Sequence, residues 1–203
     1  MKLLDLFCGL GGVSDGFAKE GFEVLGVDIE DMKSKGYKHP FLRADIRELD
    51  GKDFQGYDVI WGSPPCREFS QCAVFARERA KRGQKGVWKK PPNIDNGLEL
   101  VYAYLAFVKQ ATPKFWIMEN VPNLAKYVGQ PIIEKSPIGK TMKRSFWGDF
   151  PFFLMPTDLS KPSIFKHNWN HKLRKWQRAK IPLTCSRAFA RACKQKLVEV
   201  CHV

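Results

Sequence analysis

A chain of 203 residues is the size of one domain and can withdraw roughly 70 to 75% of its unfolded surface from water, so a core without disulfide staples is within reach. Its apolar share of 44%, with 13% aromatic residues, is that of a globular protein, and no run approaches the 18 or more apolar residues of a membrane helix. The net charge of +13 is concentrated: between Leu159 and Val198 lie eleven Lys or Arg and no acid, and between Arg77 and Lys90 seven against Glu78 alone.

These two basic blocks, with Trp88, Trp169 and Trp176 among them, read as a surface that tracks phosphates; a merely solvated basic face is the other reading. The opening "MKLLDLFCGL" is too short an apolar stretch for a secretory signal. Cys8, Cys66, Cys72, Cys185, Cys193 and Cys201 form neither a CxxC pair nor a disulfide framework. A soluble, cytoplasmic protein with reduced thiols is expected.

In chain order, "KLLDLF" predicts a buried strand, "CGLGG" a turn, "VSDGFAKEG" a helix stopped by Gly21, and "FEVLGVD" a second strand. "PFLRADI" and "YDVIWG" follow as strands three and four. Strands alternating with helices predict an α/β fold, a mostly parallel sheet with helices on both faces. From Ser63 to Asn96 the period is lost, which reads as a functional loop or lid. "NGLELVYAYLAFVKQA" has helical spacing and "KFWIMEN" reads as a fifth strand. "SFWGDFPFFLMP" predicts one or two strands around a turn at Gly148, and "IPLTCSRAFARACKQKLVEV" a helix with Pro182 in its first turn. No repeat or second domain is visible, so residues 1–203 read as a single domain.

Several strand ends carry chemistry. The glycines of "DLFCGLGG" let backbone approach a ligand, but Ser14 stands where a GxGxxG fingerprint starting at Gly9 needs its third small residue, which favours a ligand without pyrophosphate. Asp28 ends the second strand, where a carboxylate can hold ribose hydroxyls, and Asp45 ends the third, within reach of an adenine amino group; simple capping is the alternative for both. Pro64 and Pro65 force the chain to leave the fourth strand extended, presenting Cys66 at the rim of the same cleft. A thiol with an ordinary pKa needs a positive neighbour to become a thiolate, and Arg67 and Arg144 are the candidates. Glu119 ends the fifth strand, as an acid or as a cap.

"DLFCGLGG" at 5–12, Asp28, "SPPCREFS" at 63–70 and "MENVPNL" at 118–124 together resemble, in order and spacing, the cytosine-5 DNA methyltransferases. The resemblance covers residues 2–128. It implies a Rossmann-like S-adenosylmethionine-dependent methyltransferase fold, with Phe7, Gly9, Leu10 and Gly11 along the methionine part of S-adenosylmethionine, Asp28 on its ribose, Ile29, Asp45 and Ile46 around its adenine, and Pro65 at the border. Cys66 would attack C6 of a cytosine while Glu119 stabilises protonated N3. The implied substrate is double-stranded DNA, with the cytosine rotated out of the stack, and no metal is assigned. Residues 63–96 would form the catalytic loop, with Glu68 to Pro92 as a lid hinged at Gly83 and Gly86.

The chain also departs from the family. In "MKRSF" Arg144 takes the first place of the usual arginine pair and Phe146 the second. The last family motif is missing, with "AKIPLTCSRAFARAC" as its replacement, a helix packing back on the cofactor region. Residues 145–180 leave room only for a reduced target-recognition segment. Site discrimination takes roughly 4 to 10 kcal/mol at about 1 to 3 per good base contact, which predicts a target of about two to four base pairs unless a partner chain supplies more. Restriction-modification is one implied role, in a prokaryotic or phage-infected cell. Two alternatives stand: a transfer RNA cytosine-5 methyltransferase, whose Cys-Phe-Thr signature "CREFS" does not match, and a catalytically silent nucleic-acid-binding homologue.

Overall fold

The computed structural model of the chain describes residues 1–84, 92–138, 142–155 and 174–200. Within them lie seven strands: β1 (Lys2–Leu6), β2 (Glu23–Asp28), β3 (Phe41–Arg43), β4 (Val59–Gly62), β5 (Phe115–Asn120), β6 (Ile133–Ile138) and β7 (Met142–Asp149). The α-helices are α1 (Gly12–Lys19), α2 (Gln71–Lys81), α3 (Ile94–Ala111), α4 (Ala125–Val128), α5 (Arg174–Ala179) and α6 (Leu183–Val200). The sheet order is β3-β2-β1-β4-β5-β7-β6. The first five strands are parallel; β7 runs antiparallel to β5, and β6 antiparallel to β7.

Both faces of the central strands are buried, which is why they read as continuous apolar runs rather than alternating ones. Leu3, Val59, Trp61 and Ile117 face one layer, and Leu4, Leu6, Ile60 and Met118 the other. The second layer is α3, where Tyr104 donates its hydroxyl to the Ile117 carbonyl at 2.9 Å. The first layer is α1 with α6. On α6, Cys185, Phe189, Cys193 and Leu197 recur every four residues and are all buried, a stripe of helical period. Phe189 stands edge-on to Trp61, ring centroids 4.9 Å apart, and Phe146 and Phe153 also close on it at 4.9 and 4.6 Å.

The α1–α6 contact is close because α1 presents glycine there. A Cβ on Gly16 would run into the Ser186 side chain and approach the Arg187 amide nitrogen to 2.9 Å. Ser186 Oγ donates to the Gly12 carbonyl at 3.0 Å. Glu20, at the end of α1, receives Arg187 Nε at 2.6 Å and Arg191 Nε at 3.0 Å.

Two expectations are corrected. Gly148 is no turn: β7 runs through it to Asp149, pairing Gly148 with Ile117. A Cβ there would strike the Trp116 carbonyl oxygen, so glycine permits strand pairing instead of ending it. Between Ser63 and Asn96 the chain is not irregular throughout, since α2 fills Gln71–Lys81. Ser70 caps it, its hydroxyl accepting from the Ala73 amide at 3.2 Å. Only Ala73 of α2 is buried, so the helix has no apolar stripe for a periodicity reading to find. Residues 85–91 of the expected lid, Gly86 and Trp88 included, and residues 156–173 with Trp169 lie outside the described residues, as does Cys201.

Candidate active site

The carboxyl ends of β1, β2, β4 and β5 open on one cleft of about 1160 Å³, at the point where strand order reverses from β1 to β4. Open parallel sheets bind ligands at such a reversal. β1 delivers the chain into a tight turn: Phe7 has φ +59° and Gly9 φ +50°. For a bulky aromatic residue that conformation costs on the order of 1–3 kcal/mol and persists only where surroundings enforce it. They do so here with the Cys8 amide on the Val27 carbonyl at 3.0 Å and the Gly9 amide on Asp28 Oδ2 at 3.1 Å. Asp28 Oδ1 accepts from the Glu30 amide at 3.0 Å. Burial raises the pKa of Asp28, and the two amides offset that only in part.

β4 leads into Ser63, Pro64, Pro65 and Cys66. Pro64 is buried and Pro65 exposed. Asn120, at the end of β5, donates Nδ2 to the Pro64 carbonyl at 2.9 Å and accepts the Val121 amide at 2.9 Å. Cys66 then takes φ −86°, ψ 0°, the bridge region where active-site residues are often found. It opens a short 3-10 turn, Arg67–Phe69, whose Phe69 is fully buried, and Asn123 Nδ2 holds the Phe69 carbonyl at 3.0 Å. The thiol is thus set between two buried anchors while remaining partly exposed at the cleft.

Glu119 is buried on β5, and Arg144, from the neighbouring β7, donates Nη1 to its Oε1 at 2.5 Å. Burial works against the charge of Arg144, and the Glu119 carboxylate overcomes it, holding the guanidinium above its ordinary pKa. Cys66 interacts electrostatically with the buried Arg144 guanidinium, whereas Arg67 is more than half exposed, 3.8 Å from Glu68. Arg144 Nη2 also donates to the Ala179 carbonyl at 3.1 Å. By contrast, burial pushes the Cys185 and Cys193 thiols up to about 12 and Cys8 higher still, which makes them packing residues.

Of the residues expected from sequence, Phe7, Gly9, Leu10, Asp28, Ile29, Asp45, Ile46, Pro65, Cys66, Glu119 and Arg144 line this cleft. Gly11 does not: it precedes α1 with φ +73°, and a Cβ there would sit 3.0 Å from the Tyr37 ring. Asp45 is at the cleft, but its carboxylate is gripped by Arg47, through Nη2 at 2.5 Å and Nε at 3.0 Å, and Arg47 reaches on to Glu99 at 2.9 Å. Phe146 cannot mimic a second arginine, because its strand position points into the core against Trp61, ring centroids 5.9 Å apart. The sequence reading missed Asp5, an acid inside the apolar run "LLDLF", although that misfit was its signal. It also missed Lys180 and placed Trp176 on the basic surface, whereas both line the cleft.

The family of C-5 cytosine-specific DNA methylases matches residues 1–135. The chain belongs to that family. Among its curated relatives, the type II methyltransferase M.FnuDI of Fusobacterium nucleatum is 31% identical over 129 residues, 61% of this chain and 33% of its own length. The type II methyltransferase M.NgoPII of Neisseria gonorrhoeae is 30% identical over 131 residues, again 61% of this chain and 34% of its own length. The chain therefore spans about a third of the length of the curated relatives it matches. A solved structure described as a DNA modification methyltransferase encoded within an E. coli prophage shares the fold, with a TM-score of 0.52 at 24% identity over 73% of this chain and 46% of that one. Cys66, Asp28 and Glu119 all lie inside the matched span; Arg144, Trp176 and α6 lie beyond it. Among the described residues no helix is long and apolar enough to cross a membrane.

Proposed function

We propose that the chain is the catalytic unit of a DNA (cytosine-5)-methyltransferase that moves a methyl group from S-adenosylmethionine to C5 of a cytosine rotated out of double-stranded DNA. The observation that carries this reading is that Cys66, Glu119 and the turn locked by Asp28 share one cleft. The type II methyltransferase names of its relatives agree with it. The cleft suits the donor: it is roomy, its glycine turn is not built for pyrophosphate, Asp28 keeps lone pairs for ribose hydroxyls, and Ile29, Ile46 and Leu100 give an apolar seat for adenine.

Bound S-adenosylmethionine supplies an electrophilic methyl group on a sulfonium. The rest falls to the chain. Cys66 Sγ, as thiolate, bonds to C6 and breaks the conjugation of the ring. Glu119 holds a proton at N3, so the electron pair released toward C5 makes it a nucleophile. After methylation the C5 proton passes to solvent acting as base, its electron pair reforms the C5–C6 double bond, Sγ leaves as thiolate with the C6–S pair, and N3 gives back its proton. Arg144, bonded to Glu119, keeps the carboxyl from swinging away from the base.

On this reading residues 63–96, with α2 inside them, are the catalytic loop, and residues 145–180 serve as the short target-recognition segment, although 145–149 belong to β7. A partner chain adds target contacts if the site proves longer, and the protein works in the cytoplasm on its host's or phage's DNA. The test is a covalent trap: the chain and S-adenosylmethionine on duplexes containing 5-fluorocytosine in varied contexts, resolved on a denaturing gel. A stable adduct that Cys66→Ala abolishes is expected. No adduct on any duplex, with no 5-methylcytosine in the DNA of an expressing host, overturns the proposal and leaves the silent homologue, which Phe146 in the place of an arginine would then favour.

A further inference from the structure

One wall of the cleft comes from outside residues 1–135. Trp176, on α5, reaches across to the turn after β1, where a Cβ on Gly9 would lie 4.0 Å from the indole Cδ1. The ring packs with Cys8, Met32 and Tyr37. Lys35 Nζ lies 4.8 Å from its centroid while pairing with Glu30 at 3.2 Å. Gly9 is in the turn that the family resemblance gives to the methionine of the donor and Asp28 is the strand end that the proposed function gives to its ribose, so the indole stands beside that half of the cleft.

The residues that follow fix α5 in place. Ala179 accepts from Arg144 Nη2 at 3.1 Å. Lys180 Nζ pairs with Asp15 Oδ2 at 2.7 Å, and the same carboxylate holds His39 Nε2 at 2.9 Å. Ile181 is buried, its backbone so close to Gly12 that a Cβ there would meet the Ile181 carbonyl oxygen at 2.6 Å. A planar ring held over a glycine turn and next to polar strand ends strips water from whatever the turn holds, and large aromatic surfaces contribute most of the contact energy at such sites.

We infer that Trp176 is a donor-binding residue that covers the methionine and ribose half of S-adenosylmethionine. The inference rests on the proposed function, because it needs that donor in the cleft. It also joins two parts of the site: α5 carries the ring at one end and the carbonyl that holds Arg144 at the other, so donor and catalytic arginine share one support.

The test is calorimetric titration of S-adenosylhomocysteine into the full chain, wild type, Trp176→Ala and Trp176→Phe, with tryptophan emission followed in parallel. Loss of the ring is expected to weaken binding about tenfold, and phenylalanine to hold it within about threefold. The Phe variant is also expected to lose most of the ligand-induced emission change while still binding. Wild-type affinity in the Ala variant, or an unaltered emission change in a Phe variant that binds, overturns the inference alone. If the wild type does not bind S-adenosylhomocysteine, the donor reading of the cleft falls and takes this inference with it. Should Trp176→Ala not fold, the emission result with Phe still decides.

Discussion

Asp5 is 1% exposed in the middle of β1, an acid where the sheet otherwise has leucines. Ser14 donates to it twice, from its amide at 3.2 Å and its hydroxyl at 2.5 Å, and Ser14 Oγ also bonds the Tyr37 hydroxyl at 2.8 Å. Burial still lifts its pKa from 3.8 to about 7, because the Ser14 bonds return only part of the desolvation cost. In this window the folded state keeps a proton that the unfolded state has lost, so stability is highest at acid pH and falls as pH climbs toward 7. The loss between pH 5 and pH 8 is on the order of 2–3 kcal/mol. Asp5→Asn should remove it: urea unfolding of both proteins at pH 5 and pH 8 should show the asparagine variant gaining relative to wild type as pH rises. A constant difference at the two pH values would mean that Asp5 does not titrate in that range. Cys66, Glu119 and Asp28 were legible in the sequence because the chain around each is locally determined: two prolines, or a place at the end of an apolar strand. The grip of Arg47 on Asp45 and the placement of Trp176 were not, since both depend on packing that no neighbour in sequence reports.

At the scale of elements, the five parallel strands and α3 could be read from their apolar runs and helical spacing. β6 could not, because it is an edge strand containing Pro137 and broken by a register shift between Lys135 and Ile138; an edge tolerates proline where a central strand would not. The α1–α6 contact is the element-level feature that most constrains the fold, joining residues about 170 positions apart. Valine at Gly16 would force Ser186 and the α6 backbone outward. Overpacking of this kind costs about 1–3 kcal/mol. Gly16→Val should therefore lower the thermal midpoint measurably, by steric intrusion and not by backbone strain, since Gly16 has no positive φ. A midpoint left unchanged by Gly16→Val would show that α6 yields to the intrusion.

Across the whole molecule, the family match covers residues 1–135, and the remaining residues lie beyond it. The charge has a matching asymmetry, with most of the basic excess in residues 77–90 and 159–198, segments suited to phosphates rather than to base edges. Phosphate contacts add affinity without sequence information, and on the proposed function only the short segment 145–180 reads bases. Bisulfite sequencing of DNA from a host expressing the chain should therefore show methylated cytosines sharing a motif of about two to four base pairs. A six-base consensus would require a partner chain for the additional contacts.

The edge-on pairing of Trp61 with Phe189 sets an order of events during synthesis. The indole leaves the ribosome well before the ring that covers it, and at about 5 to 20 residues per second the interval is roughly 6 to 25 seconds. For that time the side of Trp61 that Phe189 later covers stands open, an invitation to chaperones and to neighbouring polysomes alike. Translation speed through the intervening codons thus becomes a determinant of yield, and slowing it should increase the aggregated fraction without altering the finished fold.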